Sequence, residues 1–287
     1  MPQTLNTNLN SLNAQRNLST SQSSLAMSMQ RLSSGLRVNS AKDDAAGLAI
    51  AERMTTQVRG MNVSIRNAND GISMAQTAEG ALGKVADSLQ RMRELSVQSA
   101  NATNSGSDKD SLDKEFGELS KEIQRVLGGT SFNGQHMLGT DAKAFTFQVG
   151  ANTTSNDTID LTTTDLTADA TVTAVAGTDN TGAGRALIDS TASAVTIQGV
   201  INSIDTAIST INDKRAMLGA SQSRFDSVIT NLQISVENQT AARSRIMDTD
   251  FAAETANLSR SQILQQAGNA MVAQANQLPN QVMTLLR

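Results

Sequence analysis

Apolar residues recur along most of this chain at alternating intervals of three and four, the spacing of one helix face. The longest ladder is Ile197, Ile201, Ile204, Ile208, Ile211, Arg215, Leu218, Gln222, Phe225, Ile229, Leu232, Val236 and Gln239. At 1.5 Å per residue it predicts a helix roughly 63 Å long. A compact globule of this chain length has a diameter of about 50 Å. The ladder therefore predicts an elongated rod with coiled-coil-like packing. Arg215 and Gln222 either set the register of that seam or lie at its edge facing solvent.

The first half supplies partners. Ile65, Ala68, Ile72, Ala75, Ala78, Leu82, Val85, Leu89 and Met92 make a second seam. Leu112, Phe116, Leu119, Ile123 and Val126 make a third. The polar stretch 101–110 between them predicts a turn and two antiparallel helices. Gly128 and Gly129 predict the end of the third helix. After it the period changes: Phe145, Phe147 and Val149 alternate, as do Ile159 and Leu161, which predicts a β-hairpin. Residues 151–185 carry eleven Thr, five Asp, no Lys and one Arg. This stretch reads as an exposed, β-prone or loosely ordered excursion before helical periodicity resumes near Ser193.

Both ends carry apolar seams of their own. Leu264, Gly268, Met271, Ala275, Leu278, Val282 and Leu285 follow 4-3 spacing almost to Arg287. Leu5, Leu9 and Leu12 begin a similar pattern, which Leu18, Leu25, Met29, Leu32 and Leu36 continue after a phase shift. Chain ends are ordinarily polar and frayed, so these seams call for a partner beyond the neighbouring chain. Gly35 interrupts the N-terminal helix, and Ser40 with Asp43 fits a capping box for a new start. Met247-Asp-Thr-Asp250 is the corresponding break near the other end, with Asp250 as N-cap. One break on each side predicts a joint, with paired terminal helices beyond it.

Composition supports helix-on-helix packing and removes most chemistry. Aromatics are 2%, with no Trp, Tyr or Cys, while there are 12 Met. The net charge of -4 gives no general attraction to nucleic acid or to anionic membrane. No apolar run reaches the roughly 18 residues of a membrane span. The N-terminus lacks the basic region and apolar core of a secretory signal, so export would use a route without a cleaved signal. His136 is the only His and Cys is absent, which rules out a His/Cys zinc site and leaves a catalytic triad no support. Asp157, Asp160, Asp165 and Asp169 lack the ordered calcium-loop pattern and read as a solvated loop. Gly182 and Gly184 are not followed by the residues of a phosphate loop. No cofactor, no metal and no enzymatic activity are expected.

The stretch RLSSGLRVNSAKDDAAGLAI at 31–50 resembles the N-terminal signature of bacterial flagellins. ARSRIMDTDF at 242–251, SQILQQAG at 261–268 and the closing LPNQVMTLLR resemble the C-terminal one. The resemblance covers roughly the first 140 and last 90 residues. It implies a filament subunit that is exported unfolded by a type III apparatus and polymerises with copies of itself for motility. It also implies terminal helices that are disordered in the free subunit and line a tubular core, long helices around them, and a central segment facing outward. The implied partners are the export chaperone and apparatus, filament cap and hook-junction proteins, and host Toll-like and inflammasome receptors; the location is extracellular, in the flagellum. Only about 50 residues separate the two signatures, so a minimal form without large outer domains is expected.

The reading is thus a mainly α chain: an elongated antiparallel coiled-coil-like rod with a small β-hairpin region and paired terminal helices. Its expected parts are 1–39 and 250–287 as core helices, 40–165 and 193–249 as rod, and 166–192 as a short outward segment. Leu5, Leu9, Leu12, Leu264, Met271, Leu278, Val282 and Leu285 are the expected self-assembly residues. In the motif QRMRELSVQ at 90–98, resemblance implies that Arg91, Leu95 and Gln98, with Glu115 on the next helix, form a receptor-recognised surface. The first three share one helix face by spacing. The same face would equally serve as a contact with a neighbouring subunit. A hook–filament junction protein or other secreted coiled-coil protein with related ends is the alternative, and an enzyme with a catalytic insert the third.

Overall fold

The computed structural model describes residues 7–285, with side chains described to residue 277. Six helices and two small hairpins occur among the described residues: α1 (Leu9–Ser34), α2 (Ala45–Ser99), α3 (Gly106–Gly129), β1 (Ser131–Phe132), β2 (Gln135–His136), β3 (Ala144–Gln148), β4 (Thr158–Thr162), α4 (Ala170–Ala176), α5 (Ala194–Met247) and α6 (Phe251–Leu285). The fold is mainly α, as the periodicity indicates. By compactness the chain divides into 58–236 and a second unit made of 1–57 with 237–287.

In the unit 58–236, the three rod seams face one another. Ala68, Ala75, Ala78, Leu82, Val85, Leu89 and Met92 of α2 are buried against Phe116 and Ile123 of α3 and Ile204, Ile211, Leu218 and Phe225 of α5. Burying each large aliphatic side chain contributes roughly 1.5–3 kcal/mol, which lets the helices hold with few aromatics. α3 starts with a full capping box: Ser105 Oγ accepts from Asp108 N, and the Asp108 carboxylate accepts from Ser105 N. It ends at Gly129, as the sequence predicts. Glu79 of α2 lies 3.7 Å from the Arg215 guanidinium and accepts from Gln222 Nε2 at 3.1 Å. Arg215 and Gln222, two of the three polar positions of the α5 ladder, therefore share one carboxylate across the seam, the arrangement expected of a register pin.

β1 and β2 are joined by Asn133 and Gly134, both at positive φ (50° and 79°), the conformation a tight antiparallel turn demands. β3 and β4 pair antiparallel from Ala144↔Thr162 to Gln148↔Thr158. Their inward residues Phe147, Val149 and Ile159 pack on Ala68 and Phe225, with the Phe147 ring edge-on to Phe225 at 5.6 Å.

Residues 166–192, expected as a short outward segment overlapping the loose excursion at 151–185, are instead partly packed into the core. Leu166, Val172, Val175, Ala176 and Ile188 are buried in the main core. Polar side chains of the helices hold the segment: Ser120 Oγ donates to Ala176 O at 2.7 Å, Gln124 Nε2 donates to Gly177 O at 2.5 Å, and Ser99 Oγ donates to Ile188 O at 2.6 Å. Asp113, also buried, receives the Arg185 guanidinium and the Ile188 N–H. Of the four Asp residues expected in a solvated loop, Asp157, Asp165 and Asp169 close local turns, while exposed Asp160 accepts from Thr146 Oγ1 across the hairpin. In the Asp-x-Thr pairs at 165, 169, 179 and 189, one carboxylate oxygen accepts both the Thr N–H and its hydroxyl. Thr-rich composition gave an appearance of solvation because these hydroxyls are satisfied within the segment.

In the other unit, the two expected breaks meet. Gly35 ends α1 at φ 72°, a left-handed conformation suited to glycine. Leu36 pairs with Asp248, Thr249 N donates to Gly35 O at 3.0 Å, and Arg37 N donates to Met247 O at 2.6 Å. Val38, Ala51 and Met247 make a small apolar cluster beside this joint. Asp250 caps α6 by accepting from Ala252 and Ala253 N–H, as expected. The start of α2 is displaced from expectation: Ser40 and Asp43 close the turn before it, and Asp44 accepts from Gly47 N at 2.7 Å as the cap. α1 and α6 are continuous helices over Leu9–Ser34 and Phe251–Leu285.

Candidate functional site

α1 and α6 run antiparallel in a constant register. Asn8 Nδ2 donates to Ala275 O at 2.7 Å, Ser11 Oγ to Asn276 Oδ1 at 2.7 Å, and Arg31 reaches Glu254 at 3.8 Å. Leu18 lies against Gly268 between these points, with a Cβ built on Gly268 falling 3.1 Å from Leu18 Cδ1. Cα atoms of the two helices come within 8 Å of each other along the pair. Such proximity requires small side chains between the axes, and the buried positions here are Ser11, Ser28, Glu254, Ser261 and Ala275.

The seam read from the sequence is therefore not the one that joins α6 to α1. Ala275 and Gly268 belong to both, but Leu264 and Met271 stand on the flank, 49% and 63% exposed. Leu9 and Leu12 of α1 are 67% and 50% exposed. Leu5 lies outside the described residues, as do the side chains of Leu278, Val282 and Leu285. Met29 of the N-terminal seam is exposed as well, and Met27, Phe251 and Ile263 add exposed apolar surface that the periodic reading passed over. A groove of about 480 Å³ runs beside the pair, with Leu264 and Met271 on one wall and Asn10, Asn13 and Asn17 on the other. It is an apolar strip edged by amides, with no titratable group to do chemistry.

The second expected surface lies on α2 and α3. Arg91 Nε donates to Glu115 Oε1 at 2.8 Å, and its Nη1 donates to Glu94 Oε2 at 2.9 Å. The hydrogen bonds to Glu115 and then Glu94 hold the Arg91 guanidinium above its ordinary pKa. Both ends of the pair are exposed, so its geometry shapes the surface more than it stabilises the fold. Gln98 is exposed beside the turn after α2, its carbonyl accepting from Asn104 Nδ2 at 2.6 Å. Leu95 is a correction: it is 1% exposed and packed in the core. Its position three short of Gln98 and four past Arg91 places it on the same broad face, but α3 folds over that part of it. Arg93, two residues from Arg91, was missed; its Nε and Nη2 fork onto Asp205 of α5 at 2.6 and 3.2 Å. Nothing periodic marks that pair, since both residues sit at the seam's edge.

Two family models match the chain in order: the bacterial flagellin N-terminal helical region over residues 5–142, and the bacterial flagellin C-terminal helical region over 201–286. The chain is 45% identical over 284 residues to a flagellin of Halalkalibacterium halodurans, with 99% of each chain covered. It is 43% identical over 315 aligned residues to a flagellin of Xenorhabdus nematophila, with 100% of each covered. A solved structure of a candidate flagellar hook-associated protein from Vibrio parahaemolyticus shares the fold, with a TM-score of 0.58 at 13% identity over 72% of this chain and 100% of that one. Resemblance to the hook-associated protein stops at the fold, whereas the flagellin matches run through both helical regions and the segment between them. On that identity and extent, the chain belongs to the bacterial flagellins, the structural subunits of the flagellar filament.

Proposed function

We propose that the chain polymerises through the apolar flanks of its α1–α6 pair. The observation that carries this reading is the mismatch between apolar and buried positions on those helices. Small and polar residues close the pair, while Leu9, Leu12, Leu264 and Met271 remain outside it. An exposed apolar strip on two facing helices is costly in water unless another surface covers it. Further copies of the same strip provide that cover, and repetition without a closing rotation yields a filament. The subunit is exported unfolded through a type III apparatus, with a chaperone holding its ends and cap and hook-junction proteins meeting it outside. Absence of Cys suits such a passage, since no disulfide can trap a compact state.

Leu264→Asp tests the reading. It places a carboxylate on the exposed flank without touching the buried stripe. Helix content by circular dichroism should be unchanged, and seeded filament growth should fall by at least roughly tenfold, the cost of one uncompensated charge at a covered surface. Filaments of normal length from this variant would overturn the proposal.

A second role for the α2–α3 face is supported by the locked Arg91–Glu115 pair with Gln98 exposed nearby. It serves either as a Toll-like receptor surface or as a contact with a neighbouring subunit. Arg91→Ala separates these uses: lost receptor signalling with normal filaments assigns recognition, and shortened filaments assign packing. Inflammasome recognition is carried by the C-terminal segment, by resemblance.

A further inference from the structure

The chain has no Cys, Trp or Tyr, one His and 12 Met, so methionine thioethers are nearly its whole stock of oxidisable side chains. Their burial is uneven. Met61, Met74, Met92, Met137 and Met247 are in the core. Among the described residues four are exposed: Met27 at 46%, Met29 at 51%, Met217 at 50% and Met271 at 63%. Three of those four lie on α1 and α6, among the apolar residues left outside the pair. Met271 also lines the groove beside it.

We propose that Met27, Met29 and Met271 are oxidative modification sites that control assembly, taking a two-electron oxidant of the peroxide class. This rests on the assembly reading above. The thioether sulfur attacks one peroxide oxygen and the O–O bond breaks as the S–O bond forms. Sulfur loses two electrons, and the leaving hydroxide takes the proton of the new sulfur-bound hydroxyl to become water. The product is a methionine sulfoxide, polar where the thioether was apolar. In the free subunit the new oxygen points to solvent and costs nothing. Once covered by another copy it is a buried acceptor without a donor, which weakens the contact by about tenfold for each site buried. Reduction of the sulfoxide by a methionine sulfoxide reductase restores the thioether, so the block is reversible before assembly. Within the filament the same residues are shielded.

The test treats the unassembled full-length protein with hydrogen peroxide, maps sulfoxides by peptide mass, and measures seeded elongation by sedimentation. Met27, Met29, Met271 and Met217 should oxidise ahead of Met92 and Met137. Elongation should fall at least roughly tenfold and return after reductase treatment. In a partly oxidised pool, the sedimented filaments should be depleted in sulfoxide at Met27, Met29 and Met271 but not at Met217. A variant carrying Met27→Leu, Met29→Leu and Met271→Leu should elongate equally before and after peroxide. Normal elongation of the oxidised protein, equal sulfoxide at the three sites in filament and free pools, or loss of elongation on oxidising the triple variant would overturn the proposal. If Leu264→Asp blocks filaments while oxidation does not, this inference fails alone; if Leu264→Asp forms normal filaments, the assembly reading fails with it.

Discussion

Asp113 shows how one side chain can decide the fate of a segment far from it in sequence. Burial pushes its carboxyl up, but the Arg185 fork and the Ile188 N–H more than offset that, so its pKa lies below the ordinary aspartate value. Both partners are mostly shielded, at 12% and 17% side-chain exposure. Removing one member of such a pair strands the other. Asp113→Asn should cost roughly 2–4 kcal/mol at neutral pH, somewhat under the figure for a fully buried pair, measured by urea denaturation. Because the folded value is depressed, the charged form's contribution is complete above the unfolded pKa and disappears as pH falls through the folded one. The gap between wild type and Asp113→Asn should therefore narrow below about pH 4. A gap independent of pH would mean that shape, not charge, holds the segment. Nothing local to Asp113 or Arg185 marks this pair in the sequence, since 72 positions separate them.

At the scale of elements, a large side chain on a facing helix places glycine where helix propensity disfavours it. A Cβ on Gly71 of α2 would fall 2.8 Å from Phe225 Cζ and 3.1 Å from both Cε atoms. Phe225 is fully buried and pinned by Phe147, so the ring has nowhere to retreat. Gly71→Ala should gain about 1 kcal/mol in helix propensity and lose roughly 1–3 kcal/mol to overpacking, for a net fall in melting temperature. Gly268 of α6 meets a softer neighbour, the end of Leu18, so Gly268→Ala should be near neutral while Gly268→Leu should part α1 from α6. The long helices, the cap at Asp250 and the hairpin at 144–162 were all legible, because a helix or strand repeats its burial rule at every turn. The α1–α6 contact was legible only as a location. Apolar periodicity picks out Leu264 and Met271, which stay exposed within one subunit, where Ser11, Ser28 and Ser261 do the joining. Likewise the Thr-rich segment read as solvent-facing because composition cannot show that Ser120, Gln124 and Asp113 wait on α3 to receive it.

For the molecule as a whole, the two compact units differ in what they bury. Residues 58–236 enclose a continuous set of large side chains from Leu82 to Leu218. The unit of both chain ends buries Ser11, Ser28, Glu254, Ser261 and Ala275 along its helix pair, with one small cluster of Val38, Ala51 and Met247 at the joint. Each buried Ser or Ala contributes little hydrophobic free energy, while ordering each residue of α1 and α6 costs on the order of 1–2 kcal/mol. The pair is therefore the low-stability end of the chain, whose helices open more readily than the core of 58–236. If folding of the ends is coupled to assembly, covering the apolar flanks is what holds these helices closed. Amide hydrogen exchange should show α1 and α6 exchanging at least roughly tenfold faster than α2 residues 68–92 in the free subunit. Their rates should converge on those of α2 once filaments form. If α1 and α6 are already as protected as α2 in the free subunit, folding of the ends is not coupled to assembly, and the apolar flanks serve only as a preformed adhesive face.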